Sequence, residues 1–483
     1  MMRRTKPRMA RPMPERGLAL ERWGNHSVPL FVLVSTAAIL LGAAAGTLPT
    51  QQSAIGLTVL VGAALVFSKP LWGLGVMLLA IPLEPLTAMV GPIEITPIQV
   101  IAIAIVATVA ASAMAAGKFT LPRTPLDVPI LAWIAISFLG AVGAVDQAAA
   151  MKKAGMVVVY AIVFYVTASA VKSERHATFL LTSMVLGSAA VAAYGLWAEY
   201  QYLVAGVEIP NAITVGSEGL AVPRASGTMT NTSGLAALMV LAVPIALALL
   251  SAAEWRIRPF FLAALGVLVA ALGFTFTRGA WLGTSVATLV MARDRRIRGP
   301  ILAMTLIIAL LAPGIVSERA VSATQTARPE ISARFDYWRG ALLMIEQRPL
   351  MGVGTNGFPK NFSRLPVHWS SRFAATAHNV YLNVLAENGV IGFIVVFTLI
   401  FGVLGLCLSK TPGGSDQTAV IYLLGIGGSI VAFLFHQLTD SLLTGPAIII
   451  PLWTLMGVAV ALRSQISKDA AGEGRVEGAA KAS

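Results

Sequence analysis

The chain has 483 residues, of which 57% are hydrophobic and only 12% charged. A soluble domain carries about 25% charged residues, so an ordinary water-soluble globular protein is excluded. The apolar residues are material for about a dozen membrane helices of roughly 20 residues each. The net charge of +13 should then sit mainly on the cytoplasmic side.

The first 27 residues form a basic polar tail without a convincing small-residue cleavage site, so they read as cytoplasmic and not as a cleaved signal peptide. Apolar runs bounded by charges, Pro or Gly then predict about 14 helical spans, near 28–47, 54–68, 71–89, 97–116, 128–144, 153–171, 177–197, 234–252, 260–276, 279–292, 300–316, 379–408, 417–436 and 446–462. The expected fold class is therefore all-α, a polytopic membrane helix bundle. Alternate turns carry Lys69, Lys118 with Arg123, Lys172 with Arg175, Arg256 with Arg258, a cluster from Arg293 to Arg298, and Lys410. That pattern predicts both termini inside.

The domain plan is a tail at 1–27, an N-terminal membrane bundle of about 11 helices at 28–316, a long outer loop at 317–377, C-terminal membrane helices at 378–463, and a disordered cytoplasmic end at 464–483. The one cysteine, Cys407, excludes an intramolecular disulfide and any Cys-based metal cluster. No metal site, cofactor or nucleic-acid partner is expected.

The long outer loop breaks the charge pattern. Arg319, Arg328, Arg334, Arg339, Arg348, Lys360, Arg364 and Arg372 face only Glu318, Glu330, Asp336 and Glu346. A long loop can translocate whatever its charge, so a solvated surface is one reading. An anion-binding face beside the outer leaflet is the sharper one, because the planar guanidinium makes two charge-assisted bonds to phosphate and stays protonated. Arg224, before the eighth span, and Arg278, at the tight turn between spans nine and ten, fall on the same side. As isolated residues they are equally a loop cation and a snorkelling side chain.

Within the loop, 332–345 has apolar residues at helical spacing and predicts an amphipathic helix with Arg334 and Trp338 on one face. The segment Arg348-Pro349-Leu350-Met351-Gly352-Val353-Gly354 follows; its glycines could bring backbone N–H groups to an anion or sugar. The loop closes on His378-Asn379-Val380-Tyr381-Leu382, with Glu387, Gly389 and Gly392 beyond. Of the five histidines, His378 sits at the outer mouth of a span, where a hydrogen-bonded structural residue and a proton acceptor are both open readings.

Taken together, Arg334 with Trp338, Arg348-Pro349-Leu350-x-Gly352-x-Gly354, and His378-Asn379-x-Tyr381-Leu382 with Glu387, Gly389 and Gly392 resemble the O-antigen ligase and O-antigen polymerase superfamily of bacterial membrane enzymes. Arg224 before Gly227 and Arg278-Gly279 are similar to its weaker upstream motifs. The like region covers about 260–400.

That resemblance implies transfer of a glycan from an undecaprenyl-diphosphate carrier to an acceptor hydroxyl at the periplasmic face of the inner membrane. The acceptor is lipid A–core for a ligase or a second lipid-linked repeat for a polymerase. It implies membrane-lipid contacts and leaves room for a chain-length regulator. His378 is expected as base or acceptor-positioning residue, with Arg224, Arg278 and Arg334 stabilising the diphosphate leaving group. Arg339, Arg348, Gly352, Gly354, Asn379, Tyr381 and Glu387 are expected in substrate binding, Glu387 also as an orienter of His378. The chemistry is expected to be inverting and metal-independent. Chain length and span number lean towards a polymerase. A lipid-linked oligosaccharide flippase is the alternative and predicts repeats and broken helices.

Overall fold

The computed structural model describes residues 69–482 except 91–92, 117–121, 207–213, 216–221, 230, 323–326, 366–373, 413–414 and 444. The basic tail, the spans expected at 28–47 and 54–68, His368, Arg372 and the side chains of Arg319 and Arg328 lie outside what it describes.

Among the described residues the chain forms 14 α-helices: α1 (Pro70–Leu79), α2 (Pro97–Ala116), α3 (Asp127–Val142), α4 (Gln147–Ala170), α5 (Glu174–Ala205), α6 (Thr232–Ala252), α7 (Arg258–Phe274), α8 (Arg278–Met291), α9 (Arg295–Ser322), α10 (Ala327–Gln347), α11 (Phe358–Phe362), α12 (Val380–Leu408), α13 (Gln417–His436) and α14 (Pro446–Ala482). Two short antiparallel ribbons, β1 (Ala88–Val90) with β2 (Ile93–Ile95) and β3 (Thr214–Val215) with β4 (Val222–Pro223), join them. Six helices, α4, α5, α6, α12, α13 and the first part of α14, are long and apolar enough to cross a bilayer; α1, α3, α7 and the first part of α2 are shorter apolar helices. This is the build of a polytopic membrane helical protein.

The sequence predicts one continuous span at 71–89, but helix α1 ends at Leu79 and the chain turns through a single 3-10 turn at Ile81–Leu83 into β1. Pro82 and Pro85 each remove a backbone donor and restrict the residue before them, so the helix cannot continue. The close pair of spans around Thr277 does separate into α7 and α8, through a turn in which Phe276 takes a left-handed φ of 52°. Helix α10 extends the predicted amphipathic segment at both ends. Helix α14 runs on past residue 463, where the last membrane segment is predicted to end.

Polar N-caps start the central helices: Asp146, Ser173, Asn231, Asn379 and Asp416 each accept a backbone N–H of the first turn of their helix. Helix α6 is buried along almost its whole length and packs against α5, α7, α8 and α13. Small residues let backbones approach, as they do in membrane bundles. A Cβ at Gly283 would strike the Ala432 carbonyl, and one at Gly425 would lie 2.6 Å from the Ala248 Cβ.

The two ends of the bundle differ. At one end Arg463 donates to the Lys410 carbonyl, Arg293 to that of Leu408, and Gln465 to that of Val171, so the basic turns predicted to be cytoplasmic converge there. At the other end α10 and α11 pack against α12, and Asp146, the N-cap of α4, pairs with Lys360 of α11 at 2.8 Å.

Helix α12 is not continuous. Gly389 has φ 64° and ψ −171°, a conformation essentially open only to glycine. The segment after α10 fills the break. Val353 and Gly354 donate to the carbonyls of Ala386 and Glu387 at 2.9 and 3.0 Å, while Val390 and Ile391 donate to those of Pro349 and Leu350 at 2.9 and 3.3 Å. The groups freed by the break are thus bonded within the protein, the condition for irregular backbone at membrane depth.

Candidate functional site

His378 precedes the N-cap of α12 and takes a left-handed φ of 48°. The backbone turn is held from both sides. The His378 N–H donates to Thr376 Oγ1, Ala377 N–H donates to Asn383 Oδ1 at 3.0 Å, and Val380 N–H donates to the Gln437 carbonyl at 3.0 Å. Its ring stacks on Tyr337 of α10, with centroids 5.5 Å apart and planes at 24°. Nδ1 lies 3.4 Å from Asp440 Oδ1. That is ion-pair range, longer than a full hydrogen bond, and such contacts tighten when substrate binds.

Asp440 lies between α13 and α14 and is 4% exposed. Burial alone would raise its carboxyl pKa. The close contact with His378, a hydrogen bond from the Ser233 hydroxyl, and the charges of His378 and His436 instead bring it down to about 2. It also accepts from the Ser441 N–H at 2.9 Å. Behind it His436, at the end of α13, is fully buried and lies within the electrostatic reach of Arg334.

The three leading arginines come from separate elements, and of them Arg334 acts electrostatically on His436. Arg224 Nε donates to the Thr275 carbonyl at 3.0 Å and its Nη2 to Thr277 Oγ1 at 3.2 Å, while the neighbouring Ala225 N–H donates to the Phe274 carbonyl. Arg224 therefore grips the turn that presents Arg278, the exposed first residue of α8. One residue on, a Cβ at Gly279 would strike Thr439 Oγ1 and come within 3.5 Å of His436 Nδ1. Glycine at this position lets α8 approach the loop that carries Asp440 without displacing the Thr439 hydroxyl. Arg339 and Arg348 are exposed on and just after α10.

Several residues expected at the substrate have internal partners. The Gly352 and Gly354 N–H groups donate to the Arg348 and Glu387 carbonyls, so they are not presented to an anion. These glycines are needed for close approach, because a Cβ at Gly352 would strike the Glu387 carbonyl carbon. Glu387 does not orient His378. It lies nine residues further along α12, roughly 13 Å by helical rise, where it pairs with Lys153 of α4 at 3.2 Å and accepts from the Phe358 N–H at 3.3 Å. Asn379 caps α12 through Leu382 and donates to the Leu438 carbonyl at 3.0 Å. Tyr381 donates to the Leu434 carbonyl at 3.0 Å and stacks on Phe397. Both fasten the His378 turn to α13.

Asp440, Ser233, Tyr337 and Lys153 are absent from the sequence-derived site. The available signal was the polar run His436-Gln437-Leu438-Thr439-Asp440-Ser441 directly after an apolar helix. His436, Gln437, Asp440 and Ser441 of that run are buried, whereas loop acids ordinarily face water.

Residues 263–397 match a family model described as O-antigen ligase. A protein of Haemophilus influenzae described as an uncharacterized protein is 30% identical over 119 residues, which are 23% of this chain and 29% of that protein. The chain thus spans under a third of that relative's length. The family match begins in α7 and ends in α12, taking in Arg278, Arg334, Tyr337 and His378; Arg224 and Asp440 join them from outside it. The chain therefore carries an O-antigen ligase family region at residues 263–397.

Proposed function

We propose that this protein is a membrane glycosyltransferase of cell-surface polysaccharide synthesis. It moves a glycan from undecaprenyl diphosphate to an acceptor sugar hydroxyl at the periplasmic face of the bacterial inner membrane. The observation that carries the reading is the His378–Asp440 contact, with Arg334 acting electrostatically on the neighbouring His436 and Arg278 next to the Gly279 approach to Thr439, largely within a region of O-antigen ligase likeness.

The acceptor hydroxyl attacks the anomeric carbon of the donor glycan, the bond from that carbon to the diphosphate oxygen breaks, and the electron pair leaves with the diphosphate. The hydroxyl proton passes to the His378 imidazole, whose cationic form Asp440 stabilises. Arg224 holds the turn that places Arg278, and Arg278 and Arg334 stabilise charge developing on the leaving diphosphate. A single displacement inverts the anomeric centre. Fixed guanidinium groups supply the positive charge in this scheme. The span total of about 14, both termini inside and the periplasmic setting of the site belong to the same proposal, supported by the gathering of basic turns at the end of the bundle opposite His378.

The flippase alternative predicts broken helices, and α12 is broken at Gly389. The break is occupied by residues 349–354, whose backbone bonds close it. It anchors the segment after α10 in this reading and lines no transport path. The test is a His378→Ala, Arg334→Ala double variant in a strain lacking the native protein. Loss of polymerised or ligated surface glycan at normal protein level is expected. Normal glycan from the stably produced variant would sink the enzymatic reading.

A further inference from the structure

His436 takes no part in the transfer step, yet it ends α13 fully buried beside the groups that do. Its backbone is fixed. The His436 carbonyl accepts from both the N–H and the hydroxyl of Thr439 at 3.1 Å, and Tyr381, Val380 and Asn379 at the start of α12 donate to the carbonyls of Leu434, Gln437 and Leu438 around it. Its ring is enclosed as well. A Cβ at Gly279 would lie 3.5 Å from Nδ1, so the backbone of α8 closes over that edge with no side chain between. The ring approaches the Ser233 backbone at the start of α6, and neither nitrogen closes a full hydrogen bond with a described residue.

The charges that act on this ring are of opposite sign. One is the Asp440 carboxylate, with His378 3.4 Å beyond it. The other is Arg334, on the arginine flank with Arg278. Arg334 is one helical turn from Tyr337, whose ring stacks on His378 with centroids 5.5 Å apart. A long flexible guanidinium this near a buried carboxylate is set to form a charge-assisted, bidentate pair, among the strongest contacts side chains make. Among the described residues no ion pair joins Asp440 to Arg334. Such a pair would disable both partners. The acid could no longer stabilise an imidazolium at His378, and the arginine could no longer face a diphosphate. A hydrocarbon side chain would separate them but strip both charges of polar neighbours, whereas a neutral imidazole presents one donor and one acceptor.

We propose that His436 is a positioning residue that holds the Asp440 carboxylate and the Arg334 guanidinium apart, leaving the acid free for His378 and the arginine free for the leaving diphosphate. This rests on the glycan-transfer reading above and adds a residue to it. The ring touches neither the substrate nor the transferred proton; it acts as an uncharged polar spacer. The close approach of α8 at Gly279 belongs to the same device, because it leaves the ring no room to swing aside.

The test measures kcat for purified full-length protein in nanodiscs, with a glycan on undecaprenyl diphosphate as donor and both a lipid-linked repeat and lipid A–core supplied as acceptors. His436→Gln keeps an uncharged side chain with a donor and an acceptor and should retain the rate within a few-fold. His436→Ala lets Arg334 fall onto Asp440 and should lower kcat by about 10³-fold or more, because base and cation are lost together. Adding Arg334→Gln to His436→Ala should then raise kcat by about tenfold or more, since Asp440 is released and only the cation's share stays lost. A change that merely loosened the bundle would leave the double variant as slow as its parent or slower. His436→Asn, also shorter than the ring, carries the same comparison if the Ala variant does not fold. A loss of about 10²-fold in folded His436→Gln, the size expected of a proton-transfer group, would overturn the spacer, as would a double variant no faster than its parent. Either result leaves glycan transfer standing. No transfer by the unaltered protein to either acceptor would overturn both readings.

Discussion

His378 Nδ1 faces Asp440 Oδ1 at 3.4 Å although the whole of α12 and α13 separates them in sequence. The contact couples the acid's ionisation to the fold. The Asp440 carboxyl falls from an ordinary 3.8 to about 2 in the folded protein, so the folded state favours its ionised form. A depressed carboxylate contributes stability that is present above about pH 4 and is lost as pH falls towards 2. The shift corresponds to about 2 kcal/mol. Thermal unfolding in detergent should therefore show Asp440→Asn less stable than the unaltered protein at pH 6, with the gap narrowing between pH 4 and pH 2. A gap that stays constant across that range would show that Asp440 is not held ionised by the fold.

The same substitution separates positioning from bulk stability. Asn at 440 keeps the size but cannot stabilise an imidazolium at His378. Transfer should fall by about 10²-fold or more, within the range for general base catalysis, with KM for the lipid-linked donor little changed. A variant that loses donor binding and keeps turnover would assign Asp440 to the substrate instead.

Much of this arrangement is legible in the sequence, and the parts that are not share a physical cause. Local periodicity marks α10, and a run of polar residues at a span edge marks His378. The charge pattern marks Arg224, Arg278 and Arg334, because a cation on the outer side contradicts the topology rule. What escapes is pairing across the bundle. Asp440 reads as a loop acid until its burial is known. Glu387 lies near His378 in sequence but pairs with Lys153 on another helix. The Gly352-x-Gly354 pattern fits an anion cradle and a tight backbone contact equally well, and only the bonds from residues 353 and 354 to the carbonyls of α12 distinguish them.

Two glycines of α12 give a paired prediction. A Cβ at Gly389 would strike the Leu350 carbonyl carbon, and the residue sits at positive φ. Gly405 has open space around its Cβ position and lies within the helix. Gly389→Ala should cost roughly 1–3 kcal/mol through backbone strain and loosen the segment after α10. Gly405→Ala should leave stability unchanged or raise it by up to about 1 kcal/mol. Melting midpoints in one detergent check both, and equal effects would contradict the break.

Lys153 and Glu387 tie α4 to the break in α12, with Glu387 nearly buried and Lys153 partly exposed. Removing the lysine leaves a buried carboxylate uncompensated, a cost that exposure of the lysine reduces. Glu387→Gln retains an acceptor for the Phe358 N–H and should destabilise less than Glu387→Ala. Lys153→Ala combined with Glu387→Ala should destabilise by less than the sum of the two single changes. Strict additivity in thermal melts would mean that the pair makes no net contribution.

The arginine flank makes the sharpest demand on the chemistry. Arg278 starts α8 and is exposed, held in place by the Arg224 bonds to Thr275 and Thr277. If its charge offsets that of the departing diphosphate, Arg278→Ala should lower kcat by about 10² to 10³, the usual cost of losing one such donor. Arg278→Lys should recover only part, since an ammonium lacks the guanidinium's planar fork. Arg224→Ala should act through the same turn, so the double variant should lose little beyond either single one. The reaction should proceed undiminished in a chelator, because fixed guanidinium groups carry the charge. Purified protein with lipid-linked donor, assayed with and without chelator, tests this directly. Abolition of transfer by chelator, restored by a divalent cation, would assign the leaving-group charge to a metal and leave the arginines as docking contacts only.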